Sequence, residues 1–555
     1  MIEEKPAVLI LGVTGLFGGF LAHRMVRENR FRVIGASRGI ESLNQFKEDT
    51  DADIVCLDRA DSEAIDKILT TYKPFAVVDC AGPFQFYGEE PYRFAKQVLL
   101  NGCHYIDIAD ASDFVAGIVE LDRVAKQHSK AAVSGVSSTP AISAAVADEL
   151  TQSMTEVLSI ETAIIPGNRA RRTLSVMKAI LSQVGQPYQI IRHGQSEQVY
   201  GWSETRLVNL ALPENAPVTN RLASLVHTPD DALFPERYGA QTVTLRAGLE
   251  IKWFHRTLEI FSRLVRWKLL PSIAPLTGIA RWIASFFEHI GSDIGGMQVV
   301  VIGKTDENTI IKRTWDLVAS DGRGPEIPTL PVSALLDKLY SGEVTSGARA
   351  SPGEISLHEL NSRFEKLAIE SKLTEGFLQP MFKFALGESF AQLPSAVQRL
   401  HSVTGRAVFQ GRAQSMGPTG LSGRLIAWLF RFPRAAEDVP IRVTVTANEK
   451  SETWEREFAG TTFKSQLYSN SVGEVYERFG VISAKLGLEV LDSKLKFPVT
   501  SAKLFGFLPL PKVLLPISIA HESTDELGRF VFDVHLVSPF GARIAHYQGW
   551  LASKE

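Results

Sequence analysis

Val8-Leu-Ile-Leu11 runs directly into Gly12-Val-Thr-Gly15-Leu-Phe-Gly18-Gly19, and a helical pattern over 20–28 follows. The apolar run is that of a parallel strand buried on both faces. The glycines then meet a specific need. A tight turn must bring main-chain N–H groups against a pyrophosphate at a helix N-terminus, where the macrodipole favours anions. A side chain at Gly12 or Gly15 would block that approach, and Gly18 lets the helix sit close on the strand. The spacing is G-x-x-G-x-x-G rather than G-x-G-x-x-G, so the glycines alone also fit a plain glycine-rich turn. The strand before, the helix after and a second strand over 31–36 favour the nucleotide. The expected cradle is Gly12, Thr14, Gly15, Leu16, Phe17 and Gly18.

The second strand ends in Gly35-Ala-Ser37-Arg38. An NAD-specific site usually places Asp or Glu here to accept the ribose 2′-hydroxyl, whereas arginine pairs with a 2′-phosphate. No carboxylate stands at 35–38, so Ser37 and Arg38 read as a clamp for NADP(H), favoured over NAD(H). A solvated arginine at a strand end is the plainer alternative. Further strands are expected over 53–57, 75–80, 104–108 and Ala131–Ser134. The third ends in Asp58, placed beside the adenine, and the fourth in Ala81-Gly82-Pro83-Phe84. Ligands of open α/β sheets bind at the carboxyl ends of strands. The turns at 81–84, 107–110 and 135–139 should therefore surround nicotinamide and substrate. Residues 1–150 read as a Rossmann-type, doubly wound parallel sheet.

The chain has 555 residues, with 59 Lys+Arg against 62 Asp+Glu and a formal charge of −3. That length suggests about three domains. Apolar residues at 45% and charged residues at 22% exclude a mostly disordered chain, a collagen-like fibre and a coiled coil. The neutral balance argues against a general nucleic-acid binder. Cys56, Cys80 and Cys103 have no C-x-x-C spacing and support neither a disulfide framework nor a zinc site, so no metal is expected and a reducing cytoplasm is. The start, Met1-Ile-Glu-Glu-Lys-Pro, lacks the basic and apolar regions of a secretory signal. Residues 269–287 contain Pro271, Pro275, Gly278 and Arg281, a poor bilayer-crossing helix.

Val77-Val-Asp-Cys-Ala-Gly-Pro-Phe-Gln-Phe-Tyr-Gly88, Asn101-Gly-Cys-His-Tyr-Ile-Asp-Ile108 and Gly135-Val-Ser-Ser-Thr-Pro140 resemble the saccharopine dehydrogenase-like oxidoreductases. The likeness is best over 7–150 and thinner to about 365. It implies NAD(P)-dependent redox chemistry and a second domain that closes over the nicotinamide. Where that group often shows Asp-x-x-Gly-Glu, this chain has Asp107-Ile-Ala-Asp110-Ala-Ser, which weakens any transfer of substrate or catalytic role.

Residues 151–375 lose the βα rhythm. Strands over 157–165, 241–249, 298–302 and Ile310–Ala319, with helices over 173–184, 333–340 and 357–370, suggest an α+β substrate or dimerisation domain. The last helix is expected to return to the first domain. Arg169, Arg171 and Arg172 precede a helix, and Arg169 and Arg172 are candidates for a substrate carboxylate or phosphate; a solvated basic turn competes. Residues 252–289 interleave Arg256, Arg263, Arg266, Lys268 and Arg281 with Trp253, Trp267, Trp282 and Phe286, the pattern of an interfacial helix pair broken at Pro271 and Pro275. Peripheral membrane contact and an apolar, lipid-like substrate follow from that reading. Packing on the domain or on a homodimer mate is the alternative.

Residues 376–555 read as a mostly β module of short strands with a helix over 421–430. Trp454-Glu-Arg456-Glu-Phe458 and Tyr547-Gln-Gly-Trp550 resemble a bacterial domain of unknown function that accompanies saccharopine dehydrogenase-like domains. The module is expected either to bind an apolar ligand or to have a packed core, with Trp454 and Arg456 on opposite faces of one strand. Hydride transfer also needs a proton donor, and Tyr105, Asp107 and Asp110 are the candidates at a strand end. No G-x-S-x-G, H-E-x-x-H or Walker A run is present. An oxidoreductase acting on a small molecule leads; a non-catalytic dinucleotide-binding scaffold or sensor, and a reductase of a small amino acid or imine, are the alternatives.

Overall fold

β1 (Ala7–Leu11) buries four of its five residues, as a strand covered on both faces must. The chain then winds through α1 (Leu16–Glu28), β2 (Arg32–Ser37), α2 (Ile40–Thr50), β3 (Asp53–Cys56), α3 (Ser62–Tyr72) and β4 (Ala76–Asp79) in a computed structural model. It continues through α4 (Arg93–Leu100), β5 (His104–Asp107), α5 (Ser112–Gly117), α6 (Asp122–Gln127), β6 (Ala131–Ser134) and α7 (Ser143–Leu150). The structure describes residues 5–214, 217–306, 309–403, 405–448, 451–458, 460–470 and 472–553. Met1–Glu4, read above against a secretory signal, lie outside them.

The strands lie in the order β3-β2-β1-β4-β5-β6, all parallel, with Gly347–Ala350 as a seventh strand beside β6. The order reverses between β1 and β4, the point at which a doubly wound sheet leaves a crevice for a ligand. The sequence reading sends only a helix back to this sheet, whereas a strand returns as well. Gly-Ala-Arg-Ala offers no β-branched or aromatic side chain to announce it.

A second, mixed sheet orders Arg206–Val208, Arg221–Leu225, Val243–Leu249, Glu156–Ile165, Gly295–Lys304, Ile310–Ala319 and Glu370–Phe377. Val243–Leu249 runs parallel to Glu156–Ile165; Gly295–Lys304 flanks the latter antiparallel. The expected helix over 357–370 is Leu357–Lys366, opened by a Ser356/Glu359 capping box, after which the chain becomes the edge strand Glu370–Phe377. Met1–Gly376 form one compact unit and Phe377–Glu555 another.

The second unit is built on one thirteen-stranded antiparallel sheet. Trp454, Phe458, Phe463, Phe530, Phe532 and Tyr547 share its core with Val397 and Leu400 of the helix Ser395–Leu400. The aromatics thus occupy a packed core. The expectation that Trp454 and Arg456 face opposite sides is corrected: the Arg456 guanidinium lies 5.1 Å from the centre of the Trp454 ring. Residues two apart on a strand point to the same face.

Candidate dinucleotide site at the strand ends

The loop after β1 is shaped by contacts that leave no room for side chains. Gly12 has φ +86°, and a Cβ there would lie 2.9 Å from the Cys80 carbonyl oxygen. A Cβ at Gly18 would lie 2.3 Å from the Gly12 carbonyl oxygen, whereas at Gly15 only that oxygen, at 3.1 Å, is near. Gly12 and Gly18 therefore serve close packing of loop, helix and β4, and Gly15 keeps the loop rim open. Gly15 is also the N-cap of α1, and no side chain caps the helix. The first N–H groups of a helix have no intrahelical carbonyl to bond, so those opening α1 at Leu16, Phe17 and Gly18 are arranged to receive an anion. The residues present fit a dinucleotide pyrophosphate.

Around this loop the other expected contacts assemble. Thr14 Oγ lies 2.7 Å from Ser37 Oγ, linking the loop to the end of β2. Arg38 is exposed beside it. Asp58 is exposed just past β3, and its Oδ1 accepts the Ala60 N–H at 2.9 Å. Past β4, Ala81 donates its N–H to Asp79 Oδ1 at 2.9 Å, which pins the Ala81-Gly82-Pro83-Phe84 turn. Phe84 is buried, stacked 4.8 Å from Tyr87 with the Phe114 ring tilted against it at 5.2 Å.

The candidate proton donors separate by exposure. Asp107 is fully buried. Its Oδ1 accepts from Gly135 N–H at 2.8 Å, Ser134 Oγ at 2.9 Å and Ala109 N–H at 3.0 Å, while Oδ2 is buried without a partner. Burial pushes its carboxyl up to about 7. Tyr105 is buried too, with its hydroxyl 3.5 Å from Asp79 Oδ2, and burial holds that hydroxyl protonated well above the usual phenol range. Asp110 is exposed and accepts from Gln85 Nε2 at 3.0 Å. Arg169 and Arg172 lie in the turn before the helix Leu174–Gln183, whose Lys178 stands 4.2 Å over the Phe86 ring. Arg169 donates to the His289 carbonyl at 3.2 Å, and Arg172 to Gly167 O and Asn168 Oδ1 at 3.3 Å, securing that turn.

Three residues with evident roles escape the sequence reading. Asp79 ends β4, is fully buried, and accepts the Tyr87 hydroxyl at 3.0 Å. Arg59 lies 3.3 Å above the Tyr87 ring, a cation at the crevice. Ser134 ends β6 against Asp107. Asp79 carries a visible signal, an acid closing the apolar run Ala76-Val-Val; Arg59 carries none.

The architecture is that of an NAD(P)-binding fold. Residues 8–113 match the NAD dependent epimerase/dehydratase family, and residues 393–551 match a domain of unknown function, DUF4166. Over 153 residues the chain is 29% identical to the saccharopine dehydrogenase-like oxidoreductase of Rattus norvegicus, covering 24% of this chain and 33% of that protein. The Mus musculus protein of the same name matches equally, 29% over 153 residues with 24% and 33% covered. The chain thus spans about a third of the length of these relatives. Apo saccharopine dehydrogenase (L-Glu forming) from Saccharomyces cerevisiae is 14% identical with a TM-score of 0.49, covering 67% of this chain and all (100%) of that one. The resemblance read from 77–88, 101–108 and 135–140 is borne out in these similarities.

Proposed function

We propose that this chain is an oxidoreductase that moves hydride between NADP(H) and a small-molecule substrate. The observation that carries the reading is the uncapped start of α1 beside Ser37 and Arg38 at the switch point of the sheet. The 12–18 loop holds the pyrophosphate, Ser37 and Arg38 the 2′-phosphate, and Asp58 borders the adenine. The 81–84 turn backs the nicotinamide. Bound there, the cofactor supplies or accepts hydride. Asp110, exposed at the mouth, holds the exchangeable proton at its carboxyl. Asp107 and Tyr105, both buried, act as positioning residues that fix the turns around it. Titration of the full chain with NADPH and NADH, followed by nucleotide fluorescence, tests the reading: binding of neither refutes it and leaves a scaffold in its place.

A lipid-like substrate is favoured by the segment 252–289. Lys252–Arg266 buries His255, Glu259 and Ser262 and turns Trp253, Ile260 and Arg263 outward. Trp267 is 65% and Trp282 64% exposed. Aromatic rings beside cations suit the boundary of an anionic bilayer, and no helix among the described residues is long and apolar enough to cross one. Cosedimentation with anionic but not zwitterionic vesicles, lost in Trp267→Ser/Trp282→Ser, supports this contact. A stable dimer that covers both tryptophans in solution overturns it. The free cysteines Cys56, Cys80 and Cys103 accord with a cytoplasmic setting.

A further inference from the structure

At the far end of α1 from the glycine loop, a cavity of about 350 Å³ opens against the helices Leu330–Tyr340 and Leu357–Lys366. Its wall carries Arg24, Arg27, Arg323, Arg363 and Lys366, with Glu28 as the acid in the lining. Arg24 is only 4% exposed. Its two terminal nitrogens donate to Thr329 Oγ at 2.9 Å, Thr329 O at 2.8 Å and Ser333 Oγ at 3.0 Å. Its Nε is buried without a hydrogen-bond partner, and the Glu28 carboxylate stands 4.0 Å from it.

The surrounding carboxylates do not balance these cations. Arg363 pairs with Asp337 at 2.7 Å, but the same oxygen also takes Arg30 at 2.7 Å. Arg323 reaches Glu326 at 3.4 Å. Arg27 and Lys366 are exposed and have no ion pair among the described residues. Burial lowers the proton affinity of Arg24, and Arg363 and Arg27 lower it further, against the opposing pull of Glu28 and Glu326. A buried guanidinium without full pairing is costly, so the arrangement gains from an anion that completes it.

We infer that this cavity is a binding site for a small oxyanion with two or more negative charges, separate from the dinucleotide crevice. Guanidinium forks match both phosphate and carboxylate oxygens, which sets the ligand chemistry. The volume lies at the low end of small-molecule pockets, roughly 300–1,000 Å³, and so suits a ligand the size of a phosphorylated three-carbon unit or a tricarboxylate rather than a whole dinucleotide.

Calorimetric titration of the full chain with inorganic pyrophosphate and with citrate, each with and without NADPH, tests the site. Saturable binding is expected whether or not NADPH is present, weakened about tenfold or more in Arg27→Glu/Lys366→Glu, as loss of charged contacts implies. Those positions are exposed, so the variant keeps its fold; Arg24→Met, which is buried, is the second variant and should abolish binding. Tighter pyrophosphate points to a phosphorylated ligand and tighter citrate to a carboxylate. Absence of saturable binding by both anions, or binding that survives the rim variant or is displaced by NADPH, overturns the inference. Failure of NADPH to bind would count against the oxidoreductase reading alone, because the rim-variant comparison does not depend on it.

Discussion

Asp79 and Asp107 end neighbouring parallel strands in direct register, which brings two fully buried carboxyls to one end of the first sheet. Each fixes a different turn. Asp79 holds the 81–84 turn through Ala81 and receives the hydroxyl of Tyr87, and Asp107 holds the start of the 135–139 turn through Gly135 and Ser134. The walls of the crevice are therefore set from beneath, by side chains that do not reach its surface. Repulsion between the two carboxylates adds to burial in raising the Asp107 carboxyl.

That elevation fixes the sign of a pH effect. With its folded value near 7 and an unfolded value near that of a free carboxyl, the folded chain binds the extra proton between the two. Stability contributed by Asp107 therefore falls as pH rises from about 4 to about 7. Asp107→Asn removes the ionisation. Its Tm relative to the parent should rise between about pH 5 and pH 8; a Tm difference independent of pH would contradict the buried, proton-holding role.

Gly18→Ala should damage both fold and nucleotide binding, because its Cβ would meet the Gly12 carbonyl oxygen at 2.3 Å. Overpacking of this kind costs about 1–3 kcal/mol. Denaturant unfolding checks the cost, and fluorescence titration should show weakened NADPH binding. Gly15→Ala, whose Cβ has only one close neighbour, should leave stability nearly unchanged while still hindering the pyrophosphate.

Arg38→Ala discriminates between cofactors. Loss of a charged contact to the 2′-phosphate should weaken NADPH binding by about 10- to 100-fold and leave NADH binding nearly unchanged. Equal weakening of the two would assign Arg38 to the general field of the crevice.

In the second unit, His401 Nε2 lies 2.5 Å from Glu522 Oε2, both buried, with the Phe382 ring tilted against the imidazole at 3.9 Å. His401→Ala strands the Glu522 carboxylate in the core, at a cost of about 3–5 kcal/mol. Urea unfolding should show the loss in the transition of that unit. His401→Ala/Glu522→Gln should recover part of it, because the stranded charge is gone.

The doubly wound sheet is legible because parallel buried strands write themselves as short apolar runs such as Val8-Leu-Ile-Leu and Ala131-Ala-Val-Ser, ended by turn residues. Elsewhere the pattern is too thin. Gln195–Tyr200 forms a hairpin with Pro187–Arg192 although its first four residues are polar and exposed. Leu357–Lys366 ends before Leu367-Ala-Ile369, which extend its apolar pattern, because Ala368 takes φ +52° and turns the chain toward the second sheet. Within the site, the glycine loop and Arg38 follow from local chemistry. Arg59 does not, because its place over Tyr87 depends on two strand ends meeting.

The strand Gly347–Ala350 has a consequence for how the chain is made. It closes the flank of β6 with residues synthesised about two hundred positions after that strand emerges. Until then β6 offers an unpaired edge, the sort that invites pairing with another chain. Because domains tend to fold as they leave the ribosome, a nascent chain halted near residue 160 would hold a nearly complete nucleotide crevice with one raw flank. A fragment cut there is thus expected to aggregate, whereas one extended to 376 is expected to stay dispersed.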